Sequence, residues 1–361
     1  MSTMDARTLR RRFAKPRSIG RLALAALAAA TLARPAAAAQ QPAANDQAPA
    51  PGPPAPPDPT ATSRREFPGG VVALTDITYS RINGFRPLKL DIYRSAAPST
   101  TPKPLVVWLH GGGWYTGDQR GGGIQTPAYR NWPAVLASLA GRGYVVASIT
   151  YRFTSEAKYP AQVQDAKEAV RWLKANAAAY GIDPNRVVAW GASAGGHIAA
   201  LLGTTCNVAE LERTPARAGA PSSCVQGVVD FYGPIDFKNE ASQRLPGGVD
   251  HDDPNSSASI YLGCPIQSCP ADRLRLSNPI AYVDRADPPF LIVHGTADLR
   301  VPPKQSQALY DALQKSGVRS ELVMVPNVDH IFAGATDAQG KEILDKVFGF
   351  IDATTGVAPA G

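Results

Sequence analysis

A serine set between glycines, Gly191-Ala192-Ser193-Ala194-Gly195, follows the run Arg186-Val187-Val188-Ala189-Trp190 and precedes the small, helix-prone stretch Gly196-His197-Ile198-Ala199-Ala200-Leu201-Leu202. Gly-x-Ser-x-Gly between a strand and a helix makes a turn so sharp that its flanks must be nearly free of side chains. It lifts the Ser193 hydroxyl above the carboxyl end of a sheet. Such a hydroxyl is a candidate nucleophile for acyl transfer. It is inert near neutral pH unless a base takes its proton and fixed donors receive the negative charge that develops on the attacked carbonyl oxygen.

The chain offers both kinds of group. His110-Gly111-Gly112-Gly113-Trp114 comes directly after the apolar run ending at Leu109. Three glycines let backbone approach a bound carbonyl, so the amides of Gly112 and Gly113, with that of Ala194, are the expected oxyanion hole. Asp298 follows the run Phe290-Leu291-Ile292-Val293-His294-Gly295-Thr296-Ala297, where a carboxylate can orient an imidazole and stabilise its charged form. His330 lies 32 residues further on, after Leu322 to Val325 and the turn Pro326-Asn327-Val328-Asp329, completing the chain order Ser, Asp, His.

Other candidates fit the chemistry less well. His110 and His294 end buried strands beside glycine and suit backbone hydrogen bonding. His197 rides one turn up the helix after Ser193 and points away from its hydroxyl. His251 sits in a polar, Asp-rich loop where exposure is expected, and Asp329 adjoins His330 too closely to orient its ring. Trp114 and Tyr115 are candidates to line an acyl pocket. Asp165, Lys167, Glu168 and Arg171 read as a solvated helix face, and Asp230 and Asp236 carry no assigned role.

The elements that must position these groups alternate. Ile77 to Tyr79 and Leu88 to Tyr93 read as opening strands, Pro104 to His110 as a strand buried on both faces, and Tyr144 to Tyr151 as another. Trp132 to Ala140 and Ala161 to Ala179 read as helices, the second closed by Gly181. After Ser193 come a helix to about Leu202, strands over Val225 to Tyr232, Pro289 to His294 and Glu321 to Val325, and helices over Lys304 to Lys315 and Gln339 to Ile351. Asp183-Pro184-Asn185-Arg186 reads as a turn feeding the strand before Ser193. The expected class is α/β, a doubly wound, mostly parallel sheet with a small irregular insert over 233–288.

Composition bounds the partners. The formal charge of +7 comes from Arg7, Arg10, Arg11, Arg12, Lys15, Arg17, Arg21 and Arg34 in residues 1–39, opposed there only by Asp5. Setting these aside from 37 basic and 30 acidic side chains leaves 29 of each, which excludes a basic nucleic-acid surface. Residues 1–39 have the order of an export signal: a cationic start, an apolar run from Leu22 to Ala33 too short to span a membrane, and Ala36 to Ala39. Arg10-Arg11-Arg12-Phe13-Ala14-Lys15 is similar to a twin-arginine signal, with an ordinary secretory signal as the alternative. Residues 40–66, rich in Pro, Ala and Gln, read as an extended linker, and the catalytic domain is expected over 67–361. An exported protein with Cys206, Cys224, Cys264 and Cys269 is expected to form disulfides. Local loop closure favours Cys206 with Cys224 and Cys264 with Cys269. No metal-ligand spacing is present, and neither a metal nor a cofactor is expected.

From about Asp76 to Ile351 the chain resembles the α/β-hydrolase superfamily. Within it, the chain is similar to bifunctional feruloyl and acetyl-xylan esterases and to hormone-sensitive-lipase-like carboxylesterases. The resemblance rests on His110-Gly111-Gly112-Gly113-Trp114, Tyr159-Pro160, Gly191 to Gly196, His294 to Asp298 with Val301-Pro302, and Asp329-His330. It implies Ser193, Asp298 and His330 as a triad and hydrolysis of a small-molecule or polysaccharide-linked ester. The acid stands in His-Gly-Thr-Ala-Asp instead of Asp-Pro-Leu-x-Asp, which favours the feruloyl and acetyl-xylan side. Alternatives are a prolyl-oligopeptidase-like peptidase, although the residues ahead of Phe67 are too few for a propeller, and a non-catalytic binding protein of the same fold. Oligomeric state is open.

Overall fold

Alternation along the buried strands explains how one sheet supports two cores. Leu105, Val107 and Leu109 pack on one face while Val106 and Trp108 pack on the other, so a continuous apolar run satisfies both sides at once. The computed structural model describes residues 63–213 and 219–358. The segment read as an export signal, and most of that read as a linker, lie outside the described residues.

Nine strands form the sheet among the described residues: β1 (Ser63–Phe67), β2 (Val71–Ser80), β3 (Leu88–Ser95), β4 (Lys103–Leu109), β5 (Val145–Ile149), β6 (Ile182–Ala192), β7 (Gly227–Phe231), β8 (Phe290–Gly295) and β9 (Ser320–Val325). Their spatial order is β1-β2-β3-β5-β4-β6-β7-β8-β9. The β1–β2, β2–β3 and β3–β5 pairs are antiparallel, and every pair from β5–β4 onward is parallel. The helices are α1 (Trp132–Gly141), α2 (Ala161–Ala175), α3 (Ala177–Tyr180), α4 (Ala194–Thr204), α5 (Phe237–Gln243), α6 (Ser257–Leu262), α7 (Ala271–Leu276), α8 (Lys304–Lys315) and α9 (Asp337–Thr355). Apolar residues of α1 and α9 cover one face, and those of α2, α4 and α8 cover the other. Among the described residues, no helix is long and apolar enough to cross a membrane.

Three expectations need correction. A strand stands within the stretch read as a linker, since Ser63–Phe67 pairs antiparallel with Val71 to Thr75. Ser63 to Glu66 are exposed, so main-chain pairing holds this edge and leaves no apolar period to read. The helix read over Ala161 to Ala179 breaks at Asn176, whose side-chain amide donates to the Trp172 carbonyl at 2.8 Å and competes with helical bonding. Most of the charged face of α2 is buried rather than solvated, with Glu168 alone of the four half-buried. Asp165 accepts from the Arg152 guanidinium at 2.8 Å, and Lys167 and Arg171 both reach Glu212. Glu212→Leu leaves the wholly buried Lys167 with only a carbonyl partner, Thr205 O. We expect a loss of about 3–5 kcal/mol, read as a lower urea midpoint.

Both disulfides, Cys206–Cys224 and Cys264–Cys269, join the cysteines that loop closure favoured. Asp183 to Arg186 forms a bulge in β6, since Pro104 pairs with Asp183 but Leu105 pairs with Val187. The 233–288 insert holds α5, α6 and α7 between short turns.

Candidate active site

Ser193 sits between the end of β6 and the start of α4 with φ +55° and ψ −120°, a left-handed conformation that costs a non-glycine residue about 1–3 kcal/mol. Its neighbours hold it there. The Ser193 amide donates to Phe231 O at 2.8 Å, and the carbonyl accepts from the His197 amide at 3.0 Å. A Cβ at Gly191 would stand 2.1 Å from the Gly195 carbonyl oxygen, so the crossing of strand and helix admits no side chain. The main chain is thereby locked while the hydroxyl stays available.

Nε2 of His330 lies 3.0 Å from Ser193 Oγ, and its Nδ1 lies 2.7 Å from Asp298 Oδ2. The other Asp298 oxygen, Oδ1, accepts from the amides of Arg300 and Val301, each at 2.8 Å. Burial acts to raise the Asp298 carboxyl. Hydrogen bonds from His294 and His330 outweigh it and hold this group well below the usual carboxylate range. An ionised carboxylate only accepts, so His330 carries its proton on Nδ1 and turns the Nε2 lone pair toward the serine.

The imidazole is aimed by backbone. Asp329 Oδ1 accepts from the His330 amide at 2.6 Å and the Leu299 amide at 2.8 Å, tying the loop after β9 to the loop after β8. Asp329 thus holds main chain and not the ring. Ile331 and Phe332 follow with φ of +57° and +55°. Phe332 is buried against Phe231 and Tyr232, and the Tyr232 ring stands 4.8 Å from the imidazole.

Across the cavity runs the glycine loop. Gly112 has φ +114°, and a Cβ there would meet the Thr116 carbonyl oxygen at 2.1 Å. The amides of Tyr115 and Thr116 return to Gly112 O at 3.1 Å, closing a tight turn. Among the described residues, the amides of Gly112, Gly113 and Ala194 donate to no protein acceptor, and all three residues border the cavity that contains Ser193 and His330. His110 anchors the loop by stacking on Tyr151 at 4.5 Å, with Nδ1 donating to Gly111 O. Burial pushes its imidazole down to about 4, so it is neutral.

The remaining candidates separate clearly. Trp114 borders the cavity but is buried and stacked on Tyr261 at 4.2 Å, so most of its surface packs the core. Tyr115 is half exposed at the rim. His197 is buried and donates to Ser277 O at 2.8 Å, away from Ser193. His294 contacts Asp298 Oδ2 at 3.2 Å while bonding Val301 O and Ser306, a role beyond the backbone bonding expected of it. Asp230 is sealed beneath Gly233, whose amide it accepts at 2.9 Å, and Asp236 bonds Asn239.

His251, expected to be exposed, is buried and borders the cavity, because the insert folds back and Nε2 donates to Arg300 O at 2.7 Å. Sequence reasoning missed Glu240 altogether. It borders the same cavity from α5, and nothing in Phe237-Lys238-Asn239-Glu240 marks it out. The cavity measures about 340 Å³, within the range of small-molecule sites.

Residues 90–313 match the family described as BD-FAE. The Mycobacterium tuberculosis esterase LipC is 31% identical over 229 residues, 62% of this chain and 52% of LipC. The chain spans about half to three fifths of the length of the curated relatives it matches. A truncated carbohydrate esterase from gut microbiota superposes with a TM-score of 0.64 at 29% identity, covering 78% of this chain and 96% of that one. A Thermogutta terrifontis esterase with propionate bound gives 0.63 at 28% identity, with 82% and 98% covered. The same esterase is known phosphorylated by paraoxon.

Proposed function

Because this chain belongs to the BD-FAE family of α/β-hydrolases, we propose that it is a serine carboxylesterase cleaving short-chain or aryl carboxylic esters through an acyl-enzyme. The observation that carries the reading is the hydrogen-bonded line from Ser193 through His330 to Asp298, opening on a cavity bordered by three unengaged amides. His330 takes the hydroxyl proton on Nε2 as Ser193 Oγ attacks the ester carbonyl. The amides of Gly112, Gly113 and Ala194 receive the oxyanion, and His330 then protonates the leaving alcohol. Water enters by the same steps, with His330 as its base, and frees the acid.

The family favours acetyl or feruloyl esters of plant polysaccharide over long acyl chains. The two disulfides suit an exported protein. A series of p-nitrophenyl esters tests the chain-length reading. If the site is shaped for short acyl groups, as the family suggests, catalytic efficiency should fall at least about tenfold between butyrate and decanoate. Acetate release from acetylated xylan and ferulate release from methyl ferulate, measured in parallel, test the finer assignment. Efficient decanoate turnover with neither release would overturn it.

A further inference from the structure

Among the residues bordering the cavity beside Ser193 is a carboxyl that the proposed ester cleavage does not use. Glu240, on α5 of the 233–288 insert, is 1% exposed, and neither carboxyl oxygen has a hydrogen-bond partner among the described residues. Leaving a buried polar group unpaired costs about 1–3 kcal/mol. The nearest charged neighbour does not relieve this. His251 Nε2 lies 3.5 Å from Glu240 Oε1, but its proton is directed to Arg300 O at 2.7 Å, and burial lowers the proton affinity of that imidazole. The pair is therefore no salt bridge. Burial, with the negative charges of Asp298 and Asp236 adding to it, pushes the Glu240 carboxyl well above the usual range. A carboxyl kept neutral offers one O–H donor and one carbonyl acceptor at the same point.

We propose that Glu240 is a specificity-determining residue that binds a hydroxyl group of the substrate, so that this site selects hydroxylated esters over apolar ones. A hydroxyl both donates and accepts, and it completes both halves of the Glu240 carboxyl. Val249, Ala258 and Val301 border the same cavity and offer no side-chain partner. An apolar substrate leaves the carboxyl unpaired, whereas a hydroxylated one satisfies it, so the discrimination comes from a group already buried. The hydroxyl can belong to the acyl part or to the alcohol part of the ester. The inference rests on the ester-hydrolase reading above and adds a preference within it.

Two isosteric pairs separate the two sources: p-nitrophenyl glycolate against p-nitrophenyl propionate for the acyl side, and ethylene glycol monoacetate against propyl acetate for the alcohol side. Values of kcat/KM are normalised to the rates of alkaline hydrolysis. The wild type should favour the hydroxylated member of one pair by about tenfold or more. In Glu240→Leu that ratio should fall to near one, while Glu240→Gln, which keeps a donor and an acceptor, should retain most of it. Leucine removes an unpaired polar group, so its melting temperature should equal or exceed that of wild type. No preference by wild type in either pair overturns the inference without need of a variant, and so does a ratio unchanged in Glu240→Leu. Turnover of both members at equal normalised rates sinks the hydroxyl preference alone. Absence of any ester turnover sinks the esterase reading and this inference together.

Discussion

Ser193→Ala should lower p-nitrophenyl acetate turnover by about 10⁴–10⁶-fold while leaving the melting temperature close to that of wild type. The asymmetry follows from how the residue is held. Its fold contacts are main-chain bonds to Phe231 and His197, which alanine keeps, whereas its hydroxyl bonds, among the described residues, only the ring of His330. A small residual rate is expected, because the amides of Gly112, Gly113 and Ala194 would still stabilise an oxyanion formed by attacking water. Steady-state assays with burst titration of wild type measure both quantities. Equal, near-background rates for wild type and variant would instead favour a non-catalytic binding protein.

Asp298→Asn should cost about 10⁴-fold in kcat with little change in KM. The reason lies in the unequal surroundings of the two carboxylate oxygens. Oδ1 accepts from two amides, those of Arg300 and Val301, so an asparagine must keep its oxygen there and present its NH₂ to His330. An NH₂ donates, which forces His330 Nδ1 to accept and moves the ring proton to Nε2, facing Ser193. The base is then blocked though every atom keeps its place. The substitution also changes acid stability. Asp298 is held below its unfolded value, so its contribution to folding is complete above about pH 4 and is lost as pH falls through the lowered native value. Urea midpoints measured downward from pH 5 should therefore decline less steeply in the asparagine variant than in wild type. Identical slopes would mean that the carboxylate is not selectively stabilised in the native state.

Much of this architecture could be read from residue order because its signals are local. The buried runs ending at Leu109 and Val293 follow strand periodicity, and the turn around Ser193 follows from glycines that no side chain can replace. The same locality brought out Ser193, Asp298 and His330, since each follows a strand at the carboxyl rim of the sheet. What escaped notice depends on partners distant in sequence. Asp165 and Lys167 look solvated until Arg152 and Glu212 are placed over them. His251 looks exposed until the insert folds against Arg300, and Glu240 carries no local mark at all. Charge compensation is a property of the assembled fold, and periodicity along one helix does not encode it. The Ser63–Phe67 strand failed for the opposite reason, since its stabilisation is main-chain pairing that side chains barely report.

The walls of the cavity come from two kinds of chain segment. Ser193, His330 and the glycine loop project from the ends of β6, β9 and β4, where neighbouring strands dictate their spacing, with Asp298 at the end of β8 behind the imidazole. Glu240, Val249, His251, Ser257 and Ala258 all come from the single excursion after β7, which no strand pairing constrains. On the proposed reading the molecule is modular: its cutting apparatus is built into the frame, and its taste is carried on an appendage. A descendant could exchange that appendage and acquire a new diet while inheriting the blade intact.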